Sequence, residues 1–94
     1  MKPITYSSHL NFRLEFRNIP RILPKKIVQI STERYFDTIT GKNIAVAEIE
    51  FQNKIRDMAV TYDENANEIV LITIHPLKSM QKINRINSGR WKKI

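Results

Sequence analysis

Three consecutive strand-like runs, separated by turn-forming residues, occupy the centre of the chain and limit the folds open to it. In the first run, residues 44–51 read IAVAEIEF, and every second residue from Ala45 to Phe51 is apolar. This alternation is typical of a β-strand, because successive side chains point to opposite faces. The dipeptide QN that follows predicts a tight turn.

The next two runs repeat this arrangement. Residues 54–62 place Met58, Val60 and Tyr62 on one side, and the turn-forming DENAN follows them. Residues 68–75 then read EIVLITIH. Alternation along this last run puts Val70, Ile72 and Ile74 on one face and leaves Ile69, Leu71, Thr73 and His75 on the other.

A fourth run, RYFDTI, precedes the other three and ends in the turn-forming TGKN. Four strands joined by short connections predict an antiparallel β-meander. A single sheet must cover its apolar face, so the ends of the chain are expected to supply helices. The sequence therefore predicts an α+β fold in which N-terminal helical material packs on a four-stranded antiparallel meander, followed by a short basic C-terminal helix or tail.

Two helices have recognisable signals. PKKIVQI carries a proline suited to a first helical turn, which predicts a helix from about Pro24 to Thr32. Ser79 is placed to cap a short helix that carries Met80 and Ile83 on one side.

Residues 8–17 admit two readings. Leu10, Phe12, Leu14 and Phe16 alternate with polar residues, which favours a strand. A helix that begins at Ser7 or Ser8 would instead align three basic side chains at four-residue spacing. Either geometry keeps those three residues on one side, namely His9, Arg13 and Arg17.

The length and composition of the chain exclude several kinds of site. Ninety-four residues predict a single domain over 1–94, too small to enclose a large pocket. No cysteine and only two histidines argue against a disulfide framework and a zinc site, so no metal or cofactor is expected. The absence of a long apolar run argues against a membrane span and makes the cytoplasm the expected location.

The net charge of +7 is concentrated near the C-terminus. Such a segment attracts polyanions, and nucleic acid is the first candidate. The alternative is a solvated tail that only aids solubility. From His75 onward the chain holds no acid and six cations: Lys78, Lys82, Arg85, Arg90, Lys92 and Lys93.

His75 is the leading candidate for proton transfer. It stands at the end of the last predicted strand, just before Pro76, which ends strand pairing because it lacks an N–H group. Histidine exchanges a proton near neutral pH, as a general acid or base must. The alternative is a histidine that only closes the strand.

Cations and aromatic residues elsewhere point to RNA. Lys54 and Arg56 share a strand face with Tyr62, and cations on an open face can stabilise a pentacovalent phosphate. Trp91 offers a flat ring for stacking a base, although a lone tryptophan near a C-terminus also serves as an anchor. The residues expected to bind RNA are His9, Arg13, Arg17, Lys54, Lys82, Arg90 and Trp91.

The layout resembles RelE-like toxins and, more broadly, the small metal-independent ribonucleases related to barnase and the colicin ribonucleases. The resemblance covers most of the chain and is carried by YFDTITGK, KIRDMAVTY and VLITIHPLK with NRINSGRW. It implies a metal-independent RNA endonuclease, the toxin of a toxin–antitoxin pair, which acts on RNA that includes ribosome-associated mRNA and is silenced by an acidic antitoxin. The catalytic roles that it implies fall on Arg56, Tyr62, His75, Lys78 and Arg85.

Two other functions use the same residues. A non-catalytic nucleic-acid-binding module or adaptor would need the cations and not His75. A degenerate toxin-like fold, retained for protein contacts, would bind no RNA. The cleavage sequence, the oligomeric state and the assignment of general acid and base lie beyond the sequence.

Overall fold

The computed structural model describes residues 2–94, which form six strands and three helices. The strands lie in one sheet, in the order β1-β5-β4-β3-β2-β6. In chain order the elements are β1 (Ile4–Tyr6), α1 (Ser8–Phe16), α2 (Leu23–Ile30), β2 (Glu33–Asp37), β3 (Lys42–Phe51), β4 (Lys54–Glu64), β5 (Ile69–Pro76), α3 (Gln81–Asn87) and β6 (Trp91–Lys93).

The predicted four-stranded antiparallel meander is wrong. The sheet has six strands, and β1 pairs with β5 in the parallel direction, so the sheet is mixed. The four strands expected from the sequence are its central antiparallel part, β2 to β5. The two added strands have three residues each, too few for alternation to mark them, and they form through contacts with residues distant in sequence.

Residues 8–16 form a helix, although their alternation favours a strand. Ser7 caps α1, because its Oγ accepts a hydrogen bond from the backbone N–H of Leu10 at 3.0 Å. Leu10 and Leu14, four residues apart, are buried against the sheet. Phe12 and Phe16 fall about 200° away from them around the helix axis and remain exposed.

The other two helices form where the sequence predicts them, but the end of α2 and the cap of α3 differ from the prediction. α2 ends at Ile30, two residues before the predicted end, and has Pro24 in its first turn as expected. Ser79 does not cap α3: the residue before this helix is Met80, in a left-handed conformation with φ of 67° and no side-chain cap. The side chain of Gln81 instead accepts a hydrogen bond from the backbone N–H of Lys78.

The turn between β3 and β4 forms as the QN dipeptide predicts. Gln52 and Asn53 have φ of 52° and 65°, and Phe51 pairs directly with Lys54 across them. Two consecutive residues with positive φ match the twist of a two-residue hairpin. This turn fixes the β3–β4 register and hence which residues face each side of the sheet.

The sheet has two unlike faces. The first, the helix-covered face, is buried under α1 and α2, and its core includes Leu10, Ile27, Val60 and Tyr62. The second face carries a smaller apolar cluster of Tyr35, Ile44, Val46, Ala59 and Trp91. α3 reaches across this second face, where Lys82 bonds to Glu33.

A bulge in β5 decides where His75 points. Thr61 pairs with Thr73, whereas Tyr62 pairs with Leu71, so one residue of β5, Ile72, has no partner. Simple alternation would put Leu71 and Ile74 on opposite faces, and this prediction is wrong. Both are buried in the core of the helix-covered face, at 0% and 7% exposure.

The helices in residues 2–94 do not meet the requirements for crossing a membrane. α1, the longest helix described, has nine residues, and none of the described helices combines the length and apolar character needed to cross a bilayer.

Candidate functional site

The candidate site lies where β5 becomes an edge of the sheet. β1 pairs only with Ile69–Leu71, so residues 72–76 of β5 have no neighbouring strand on that side. The chain leaves β1 directly into α1, and the Ser7 N–H donates to the Leu71 carbonyl at 2.9 Å. α1 therefore runs beside the unpaired half of β5.

His75 lies on the second face within this unpaired half. It pairs with Ala59, whose side chain belongs to the core of that face. Burial, together with the positive charge of Arg85, lowers the pKa of His75 below its ordinary value of 6.5. His75 is therefore neutral at pH 7 and has a lone pair free to accept a proton.

Two threonines beside His75 were not selected from the sequence. Thr73 precedes His75 by two residues on the same face, and Thr61 lies directly opposite Thr73 on β4. Both are half-buried, and each hydroxyl can donate and accept a hydrogen bond. The alternation already put Thr73 with His75, but only the β4–β5 register brings in Thr61.

Arg17 and His75 line one small cavity at the edge of the sheet. The cavity has a volume of about 150 Å³ and is otherwise lined mainly by apolar residues and by Gln52. Arg17 directly follows α1, which runs beside β5, and both Arg17 and His75 contribute to the lining of this cavity. The sequence predicted both residues but gave no sign that they line the same cavity.

His9, Arg13 and Arg17 form an exposed basic stripe along α1, as the helical reading predicts. The Nε of Arg13 donates to Nε2 of His9 at 3.0 Å. Neither arginine is in an ion pair with an acid among residues 2–94. Their charges are therefore open to an anionic ligand.

Arg56 and Tyr62 lie on the opposite face from His75. Tyr62 is 2% exposed in the core under the helices, and its hydroxyl accepts a hydrogen bond from Arg34 at 3.1 Å. Arg56 shares its face and is half-buried, and its Nε is buried with no hydrogen-bond partner in the described residues. The register thus separates these two predicted catalytic residues from His75.

Three residues predicted to bind RNA are engaged in internal contacts. Lys82 bonds to both carboxylate oxygens of Glu33 at 3.1 Å and lies 3.7 Å from Asp57. Burial disfavours its charge, but the bond to Glu33 and the charge of Asp57 outweigh this effect and raise the pKa of Lys82. These two acids lie far upstream of Lys82 in the sequence, so no local pattern predicted the ion pairs.

The other two of these residues, Arg90 and Trp91, both donate hydrogen bonds to Asp37. Nε of Arg90 lies 3.1 and 3.2 Å from its two oxygens, and the indole N–H of Trp91 donates to it at 3.3 Å. Trp91 is 4% exposed and stacks on Tyr35, so its ring is closed to a base. Of the two readings of Trp91, the anchor is the one observed.

The two remaining predicted lysines are exposed at different places. Lys78 follows β5 by two residues and lies three residues from His75. Lys54 is the first residue of β4, directly after the β3–β4 turn. Only Lys78 is close in sequence to the candidate site.

A larger cavity, beside Lys82, is a poor anion site. Its volume is about 440 Å³, and its charged lining consists of Glu33, Glu48, Asp57 and Lys82. Three carboxylates around one lysine repel a phosphate, whereas the smaller cavity at His75 carries only positive charge. Size therefore does not identify the site.

Comparisons with protein-family models, with curated proteins and with solved structures found no match.

Proposed function

We propose that this chain is an RNA endonuclease that uses the 2′-hydroxyl of its substrate as the nucleophile and needs no metal ion. One observation carries the proposal: a histidine with a lowered pKa lies beside Arg85 and shares a cavity with Arg17. A neutral base and nearby cations can both contribute to intramolecular phosphodiester cleavage, the base by taking a proton and the cations by stabilising negative charge. The resemblance to RelE-like toxins and to the small metal-independent ribonucleases points the same way.

His75 acts as the general base. Its neutral ring takes the proton from the ribose 2′-hydroxyl, and the resulting oxygen attacks the adjacent phosphorus. Burial, and then the positive charge of Arg85, lower the pKa of His75 and keep the ring neutral before the reaction.

The arginines stabilise the negative charge that develops on phosphorus. A guanidinium presents several N–H donors in a plane and can bind two phosphate oxygens together. Arg17 and Arg85 are the two arginines associated with His75, and Lys78 adds charge at the end of β5. Arg56 lies on the other face and is not needed in this scheme.

Neither Tyr62 nor His9 serves as the second proton carrier in this scheme. Tyr62 is buried and bonded to Arg34, so it is closed to a substrate. His9 lies eight residues from Arg17 on the helix, a distance of about 12 Å. It is suited to a neighbouring phosphate, and water then protonates the leaving 5′-oxygen.

The expected setting is the cytoplasm, with ribosome-associated mRNA among the substrates. The exposed basic stripe of α1 also suits the acidic antitoxin implied by the resemblance, because opposite charges speed association. A non-catalytic RNA-binding module would use the same stripe but would not depend on His75.

The pH dependence of cleavage tests this proposal. Purified protein, free of partners, is incubated with a mixed RNA pool in EDTA between pH 4.5 and 8.5. We expect cleavage at neutral pH and a rate that falls as pH drops through the lowered pKa of His75, because the protonated ring cannot accept a proton.

The two histidines of the chain permit a matched control. The acid limb should persist in His9→Ala protein, since His9 does not take the proton in this scheme. Intact RNA at every pH, or a rate that rises as pH falls below 6, would overturn the proposal.

A further inference from the structure

Two phenylalanine rings on the outer surface of α1 have no contact role in the core. Phe12 and Phe16 are 66% and 79% exposed. Their rings are nearly parallel, with centroids 6.0 Å apart and an interplanar angle of 14°. An i, i+4 aromatic pair stabilises a helix slightly, but exposing most of both rings to water is unfavourable.

These rings lie next to the basic stripe. On a helix, residues three or four apart are neighbours, so His9 adjoins Phe12 and Arg13 adjoins Phe16. The surface of α1 thus presents one row of flat apolar rings and one row of positive charge. Such a surface suits single-stranded nucleic acid, because the bases stack on aromatic rings while the phosphates pair with cations.

The surface is continuous with the candidate active site. Arg17, the last residue of the stripe, follows Phe16 and lines the cavity that contains His75. A strand whose scissile phosphate lies at His75 would therefore extend along α1. A second copy of this chain is disfavoured as the occupant, because the same positive charges would face each other.

We propose that Phe12 and Phe16 form a stacking platform for the bases of single-stranded RNA that flank the scissile phosphate. The inference rests on the proposed function for the identity of the substrate. It assigns a binding role to two residues whose alternation with Leu10 and Leu14 marked them only as apolar.

Binding of an oligoribonucleotide to a catalytically silent protein tests the platform. In a His75→Ala background, fluorescence anisotropy is measured for a labelled single-stranded RNA. Changing both phenylalanines to alanine should weaken binding at least fivefold, because stacking contributes substantially for each base. The variant should fold, since alanine favours a helix and neither ring is buried.

Three comparisons identify what the rings contact. An oligonucleotide of equal length without bases should bind both proteins equally, because its phosphates meet only the cations. Leucine at both positions should bind RNA as weakly as alanine, whereas an acidic protein partner would tolerate leucine. Ile39→Ala, which changes a side chain 71% exposed in the β2–β3 turn, should leave RNA binding unchanged.

The outcomes separate this inference from the proposed function. Equal RNA affinity with and without the rings overturns the platform, even when the unsubstituted protein cleaves RNA. Base-dependent binding through the rings in a protein that never cleaves RNA supports the platform and overturns the nuclease proposal.

Discussion

Replacing His75 with alanine should lower the rate of RNA cleavage by about 10²- to 10⁴-fold, the usual contribution of general acid–base catalysis. RNA affinity should change little, because contacts to phosphates come from the arginines and lysines. Single-turnover cleavage at saturating protein separates the two effects, and binding is measured with an oligonucleotide that carries a 2′-deoxy group at the cleavage position.

His9→Ala is the matched control. It removes the same side chain from the exposed stripe, 12 Å or so from Arg17 along the helix. At saturating RNA its cleavage rate should stay near that of the unsubstituted protein, and its affinity should fall slightly. If His75→Ala cleaves as fast as His9→Ala, then His75 is not the base.

Replacing Asp37 with alanine should lower the free energy of unfolding by about 3 kcal/mol, the typical cost of breaking a buried charged pair. Asp37 is 3% exposed and accepts hydrogen bonds from Arg90, Trp91 and two backbone N–H groups of the β2–β3 turn. Its removal leaves the Arg90 charge without a partner and weakens the attachment of β6 to β2. Urea unfolding of both proteins measures the difference.

The same carboxylate makes stability fall in acid. Burial alone would raise the pKa of Asp37, but the bonds from Arg90 and from the turn outweigh it and lower the pKa to about 2 from its ordinary 3.8. The stabilisation is therefore complete above about pH 4 and is lost as pH falls toward 2. Asp37→Ala protein should lack this part of the acid sensitivity.

Asp63→Ala is the control for Asp37. Asp63 is paired with Lys42 at 2.7 Å, but both side chains are substantially exposed, so the pair contributes less than about 1 kcal/mol. Similar losses in the two variants would show that the Asp37 cluster does not hold the C-terminal segment.

The local sequence pattern predicted the four central strands of the sheet but not the two edge strands or the first helix. Strands β2 to β5 follow from alternation and turn residues, which are properties of neighbouring residues. β1 and β6 exist because they pair with strands more than 50 residues away in sequence. Residues 8–16 alternate like a strand but form a helix, because the Ser7 cap and the burial of Leu10 and Leu14 outweigh the alternation.

For the candidate site, the sequence predicted individual residues but not which of them lie together. His75 was found from its position before a proline, and the arginines of α1 from their spacing. Their grouping depends on the β5 bulge and on the course of α1 along an unpaired strand, neither of which has a local sequence signal. Conversely, Lys82, Arg90 and Trp91 look like ligand-binding residues in the sequence because the acids that engage them lie 25 to 54 residues upstream.

The chemistry of the cleaved ends tests the central claim most directly. A defined oligoribonucleotide is incubated with the purified protein in EDTA, and the products are analysed by mass spectrometry. Attack by the 2′-hydroxyl predicts a 2′,3′-cyclic phosphate on one product and a 5′-hydroxyl on the other. Products that end in a 3′-hydroxyl and a 5′-phosphate, or an oligonucleotide left intact, would contradict the account.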